Sequence, residues 1–407
     1  MTIRLIAVAL SAAAVIATSA AYAQDATAPQ PTELKTETAP PQEAPTGNGF
    51  VNRMRNWAED VQLVERLNGD VDGWYPRLGG MTTGSGFAFG PGYRTHVTDK
   101  RVLVDVSAAM SYKMYKAFDA KVEWLQSRHP NVELWTNFRY QDFPQEDFFG
   151  FGNATLASSR TNYALKSTDL TAMGIYHLRP WMRVSTELGY FQPAIGRGTD
   201  KDYPTTELMF TDAEAPGLAA QPDFLHTTLF SEIDYRDSRG NPKSGGFYKA
   251  SFGIWDDTSL EQFDFRRFDA EAAQFVPIWT KTHVIASRVA VAYVNNAGGE
   301  RVPFYFVPYV GGGRTVRSYE EFRFQDENAF FWNTEYRWSA HRRLQVAPFF
   351  DVGNVSRNWN DLFSGGMKTG CGIGFRVVST KAVFARLDIG LGGNEGKQIL
   401  FKLSESF

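Results

Sequence analysis

The sequence predicts a transmembrane β-barrel of about sixteen antiparallel strands, preceded by a short amphipathic helix and holding one long loop in its lumen. Three features predict it: an export signal at the N-terminus, apolar and polar residues alternating with period two over most of the chain, and a terminal Phe407 in phase with the last alternating segment. The acids Glu335 and Asp351 sharpen the reading, because each sits inside an alternating apolar run. A charge on the lipid face of a membrane strand costs about 2–4 kcal/mol near the midplane, so both are expected to point inward.

The chain opens with Arg4, an apolar stretch from Leu5 to Ile16 and the small-residue site Ala21-Tyr22-Ala23, a signal peptide over 1–23 that is cleaved before Gln24. No cysteine lies near that site, which excludes a lipoprotein anchor, and the single Cys371 has no partner for an intramolecular disulfide. Residues 24–48 are rich in Pro, Ala, Thr, Glu and Gln and lack aromatic side chains, so they read as a disordered linker. Phe50, Met54, Trp57, Val61 and Val64 then recur at three- and four-residue spacing, which predicts an amphipathic helix within the lead-in 49–79. Its apolar face is expected to plug the lumen or its mouth, with the lipid interface as the alternative.

Beyond the signal there is no apolar run of about 18 residues, so the membrane must be crossed by strands. Ten Trp, seventeen Tyr and thirty-two Phe in a chain of negative mean hydropathy suit strands with one apolar and one polar face. A net charge of −3 gives no reason to expect nucleic acid as a partner.

The barrel is read as 80–407, with strands beginning near 84, 101, 113, 130, 159, 169, 180, 223, 245, 262, 281, 328, 343, 367, 382 and 397. Val132, Leu134, Thr136, Phe138 and Tyr140 share one face while Glu133, Asn137, Arg139 and Gln141 share the other, and Phe330, Trp332, Tyr336 and Trp338 oppose Asn333, Glu335 and Arg337. Two connections are long, 193–222 and 297–327. Phe401, Leu403 and Phe407 share one parity at the end, which suits an outer-membrane sorting signal. A soluble β-sandwich would also alternate, but it would rarely set so many Trp and Tyr opposite the charged face.

The second long connection carries Val316-Arg317-Ser318-Tyr319. This segment resembles the lumenal-loop motif V-R-G-Y of the BamA and bacterial surface-antigen outer-membrane assembly factors, with Ser318 in place of the glycine. Asn333-Thr334-Glu335-Tyr336 and Phe350-Asp351-Val352-Gly353 resemble the acidic positions of the two strands after that loop. The resemblance implies that Arg317 folds back between Glu335 and Asp351. An arginine fork suits that task because it binds carboxylates bidentately. Gly370, Gly372 and Gly374 lie on the inward parity with Arg376 and are expected to leave room for the loop.

The six histidines are scattered, with no G-x-S-x-G or H-E-x-x-H context, so neither catalysis nor a metal nor any other cofactor is expected. The acids of Asp142 to Asp147 lack the regular spacing and glycine turn of a calcium loop. Residues 24–79 are too few for the periplasmic transport-associated domains that usually precede such barrels, so docking of periplasmic accessory partners is not expected. The resemblance implies a place in the bacterial outer membrane, contact with its lipid, and an unfolded outer-membrane protein as client. It also implies a weak seam, expected between Ser85–Phe89 and Ile399–Leu403. The alternatives are a passive pore or structural barrel, or the transporter half of a system with a separately encoded partner.

Overall fold

The computed structural model describes residues 71–403, apart from 83, 100, 126–130, 297–300, 379–382 and 393–394. The export signal, the linker, the helix of Phe50, Met54, Trp57, Val61 and Val64, and Phe407 lie outside the described residues.

One 16-stranded antiparallel sheet runs in chain order from β1 (Gly73–Gly79) to β18 (Lys397–Leu403), each strand pairing with the next. Its first members are β2 (Ala88–Val97), β3 (Val102–Ser111), β4 (Lys116–Trp124), β5 (Val132–Phe148), β6 (Thr161–Arg179) and β7 (Met182–Arg197). They are followed by β8 (Phe224–Asp234), β9 (Gly245–Asp257), β10 (Phe265–Ile278) and β11 (Thr280–Asn296). After the long connection come β14 (Asn328–His341), β15 (Leu344–Ser356), β16 (Lys368–Val378) and β17 (Val383–Leu391). Strands β12 (Tyr309–Val310) and β13 (Phe324–Gln325) form a separate two-stranded sheet inside that connection. β1 and β18 approach each other, but no ladder joins them among the described residues.

The count of sixteen agrees with expectation through two errors that cancel. β1 lies inside the segment read as lead-in, so the barrel begins at Gly73 rather than 80. Its seven residues, Gly-Trp-Tyr-Pro-Arg-Leu-Gly, are bounded by glycine and interrupted by Pro76, which pairs with Pro91 of β2. Proline removes a ladder donor and is tolerated in an edge strand, so the feature that hid β1 also marks its place. Conversely, the strands expected near 159 and 169 are one 19-residue β6. Its outward-facing apolar residues start at Leu170, while Lys166 and Thr168 stand above that band, so the upper half looks like a turn. The seam residues expected at Ser85–Phe89 accordingly belong largely to the β1–β2 connection, and β1 is the edge.

Alternation sorts the two faces. Leu134, Phe138, Leu170, Leu188, Leu225, Leu229, Trp332 and Trp338 are exposed on the outer face, while Glu232, Asn333, Glu335, Arg337 and Asp351 are buried within. At the end that carries the long connections, the interior is filled by aromatic packing: Phe224, Phe263, Phe265, Val302 and Val307 form one cluster, and Phe148, Tyr163, Ala215 and Phe304 another. The 198–223 connection contributes to both and includes one helical turn, Thr206–Met209. At the opposite end the connections are short; in one, Asp237 accepts backbone N–H bonds from Lys243 and Ser244 at 2.9 and 3.1 Å.

Candidate functional site: a loop held in the lumen

The connection between β11 and β14 turns back into the barrel through the β12–β13 pair, Tyr309 opposite Gln325 and Val310 opposite Phe324. Gly311 and Gly312 reverse the chain at φ +126° and +84°. A side chain on Gly311 would meet the Glu320 carbonyl at 2.1 Å, so only glycine allows the two arms to close here. Val316 and Tyr319 bury themselves with Val310 and Phe324 of the loop and Ala329 and Val355 of the wall.

Arg317 projects from this tip onto β14 and β15. Its Nη1 donates to Glu335 Oε1 at 2.5 Å, its Nε and Nη2 hold the two Asp351 oxygens at 2.8 and 2.6 Å, and its backbone N–H also donates to Asp351. The guanidinium lies 3.6 Å from the centre of the Phe349 ring. Cross-strand register explains the convergence: Glu335 pairs with Phe349 and Asn333 with Asp351, so both acids face the lumen on adjacent strands, flanking that ring. Asn333 Nδ2 donates to Asp351 and to the Thr315 carbonyl.

The cluster is larger than the three residues singled out in the sequence. Glu335 also accepts from Arg337 Nε at 2.8 Å and Arg376 Nη2 at 2.6 Å, and Arg386 Nε donates to Asp388 at 2.5 Å. Asp388 in turn lies 3.8 Å from both Arg317 and Arg376. Four guanidinium groups thus meet three carboxylates, and every member is at most 4% exposed. Arg386 and Asp388 carried a usable signal, two charges on the inward parity of Ala385-Arg386-Leu387-Asp388-Ile389, but nothing local distinguishes them from a solvated lumen lining.

The three glycines do different things. At Gly370 a side chain would strike Ser318 Oγ at 2.1 Å, so the loop does rest on it. At Gly372 the obstacles are the Ile389 carbonyl of β17 at 2.1 Å and the Phe349 ring at 2.4 Å, and at Gly374 they are Asp388 and Arg376. Those two make room for the groups beneath the loop rather than for the loop itself. The remaining loop contacts fall on glycines not singled out: Gly353 against Val310 and Val316, Gly390 against the Arg317 carbonyl, and Gly392 against Ser318. Ser318, which stands where the motif has glycine, is not at positive φ, and its hydroxyl donates to the Leu391 carbonyl at 2.9 Å. Phe401 is exposed on the outer face of β18, and Leu403 pairs with Ala385.

The sequence of the C-terminal part matches one family model. Residues 227–407 match the model of the Omp85 superfamily domain. This is the superfamily to which the loop motif pointed, and the matched region contains the loop and every charge of the cluster. The barrel is similar to the crystal structure of BamA from Haemophilus ducreyi lacking POTRA domains 1-3, with 14% identity and a TM-score of 0.60 over 82% of this chain and 70% of that one. It is also similar to CdiB from Escherichia coli, with 12% identity and a TM-score of 0.55 over 82% of this chain. The alignment spans 62% of that CdiB chain. No curated protein matches the sequence. At these identities the neighbours establish the transmembrane barrel architecture.

A second arginine of the loop, absent from the sequence reading, ties the loop to both sides of the barrel mouth. Arg323 binds Glu395, between β17 and β18, bidentately at 2.7 and 2.6 Å, and donates to the side chain and carbonyl of Thr155, between β5 and β6, at 2.9 and 2.8 Å. The 149–160 connection is stitched to the loop again by the Gly152 N–H to the Gln325 carbonyl and by Arg160 to Glu320. Near the seam, Gly313 packs against Lys402 and Leu400 of β18.

Proposed function

We propose that this barrel resides in the bacterial outer membrane and assists the insertion or translocation of protein, or of lipid, there. The observation that carries the reading is the loop held inside the lumen by Arg317 between Glu335 and Asp351. A passive pore has no need of such a device, whereas a barrel that must stay sealed while its wall rearranges does. Among the described residues no ladder joins β1 and β18, which supports the same reading, since an unpaired strand edge can accept another strand. The long loops face the cell exterior and the short turns the periplasm, as is general for such barrels. The role is non-enzymatic, requires no cofactor, and acts on an unfolded outer-membrane protein client in contact with outer-membrane lipid.

Reconstituted protein should accelerate insertion of an unfolded barrel client into liposomes; a rate equal to that of empty liposomes, with ion flux present, favours the passive pore. Arg317→Ala should raise single-channel conductance by releasing the loop. Deleting 49–68 and finding an unchanged current would remove the plug role of that helix.

A further inference from the structure

The two rims of the barrel differ in charge. The long connection 198–223 holds six acids and one base, whereas the short connections 235–244 and 342–343 together hold five bases and one acid. In the first short connection the arginines are engaged, since Arg236 and Arg239 bind Asp234 at 2.8 and 3.2 Å. Lys281, in the next hairpin, is drawn to Asp237 at 3.4 Å. The β14–β15 turn is different: it consists of Arg342 and Arg343 alone, between the paired His341 and Leu344, and both are exposed. Among the described residues no carboxylate pairs with either guanidinium.

The wall above this turn faces lipid. Leu344 pairs with Val377, and Val346 with Trp338 on one side and Phe375 on the other; Leu344, Val377, Trp338 and Phe375 are all exposed on the outer face. Arginines just beyond the end of such a face stand at headgroup depth. Trp279, the turn residue of the β10–β11 hairpin, marks the same level. It is 87% exposed, more than any other large apolar side chain among the described residues, and is held at φ +58°, where bulky residues are rarely found. Its ring meets His283 edge-on at 5.9 Å, and His283 stacks over Trp338 at 6.4 Å and 9°. Because His283 of β11 pairs with Trp338 of β14, the indole and the two arginines flank one stretch of the rim.

We propose that this stretch binds the headgroup of an anionic phospholipid, with Arg342 and Arg343 on the phosphate, Trp279 at the glycerol level, and Leu344, Trp338 and Phe375 against the acyl chains. The inference rests on the reading above that the short turns face the periplasm, which makes the lipid one of the inner leaflet of the outer membrane. An aromatic girdle accounts for Trp279 and Trp338 but is indifferent to headgroup charge. Two adjacent guanidinium groups without a carboxylate supply the selectivity, as basic clusters at a membrane surface do. A free phosphate would match the arginines and leave the apolar wall unused. β14 and β15 also carry Glu335 and Asp351, so the headgroup grips the base of the two strands on which the loop is fastened.

Full-length protein in phosphatidylcholine vesicles doped with brominated phosphatidylglycerol or brominated phosphatidylcholine reads the site, because bromine on an acyl chain quenches a neighbouring indole. The difference between the parent and Trp279→Phe isolates the local signal. That signal is expected to show a preference of about 5–25-fold for phosphatidylglycerol, at about fivefold for each arginine near the surface. Arg342→Gln and Arg343→Gln should each lower the preference about fivefold, and the double variant should abolish it. Heat-modifiable migration on semi-native gels checks that each variant is a folded barrel. Equal quenching by the two lipids in the parent, or a preference that persists in the folded double variant, overturns the proposal and leaves an aromatic girdle. A preference erased by inorganic phosphate, but not by NaCl at the same ionic strength, also overturns it and assigns the arginines to a free anion. Client insertion into vesicles of phosphatidylcholine alone tests the proposed function separately, so either reading can fail without the other.

Discussion

The lumenal charges of β1–β5 and those of β14–β17 are placed by the same alternation, yet they end in different environments. In the first region Asp119 is shared by Arg77 and Arg139, each at 2.6 Å, and Asp105 binds Arg94 at 2.5 Å and the Tyr75 hydroxyl. These side chains keep contact with the lumen; Arg77 and Arg139 are 31% and 49% exposed. In the second region the loop lies over the wall, and Arg317 and Glu335 fall to 2% and 0%. A strand can present a charge, but only a covering segment makes that charge a structural commitment. Partly solvated pairs contribute little, whereas breaking a buried one is costly.

Substitutions can break this contrast in a ranked way. Glu335→Gln should have the largest effect, because it removes the carboxylate shared by Arg317, Arg337 and Arg376 and leaves buried guanidinium charge. A loss of about 3–5 kcal/mol is expected, read as a large fall in the thermal midpoint in detergent. Arg323→Ala should follow, at about 1.5–3 kcal/mol for charge-assisted bonds, with faster proteolysis of the 149–160 connection as a second readout. Gly370→Ala forces a methyl into Ser318 and should cost about 1–3 kcal/mol; adding Ser318→Gly should recover part of the loss. Asp119→Asn should cost less than about 1 kcal/mol. If Asp119→Asn proved as damaging as Glu335→Gln, coverage by the loop would not be what separates the two regions.

The architecture was legible because alternation leaves a periodic trace in every strand of ordinary length. β1 escaped because seven residues with a proline and flanking glycines carry almost no such trace, and β6 was divided because its upper half has polar residues on both faces. In the site, Arg317, Glu335 and Asp351 were readable through the loop motif and the acids stranded in apolar runs. Arg323, Glu395, Arg386, Asp388 and the glycines Gly353, Gly390 and Gly392 were not, because their roles depend on which part of the loop lands on which strand. Contacts such as Arg323 to Thr155, 168 positions apart, have no local signature.

The uneven height of the wall has a consequence for the surrounding bilayer. β5, β6 and β7 run 17, 19 and 16 residues, whereas β1 has seven. Seven residues at a rise of about 3.3 Å reach about 23 Å along the strand, and less when tilted, short of the roughly 30 Å of a hydrocarbon core. Lipid packed against β1 must therefore compress while lipid against β6 need not, and the resulting elastic stress gathers beside β1, which no ladder joins to β18 among the described residues.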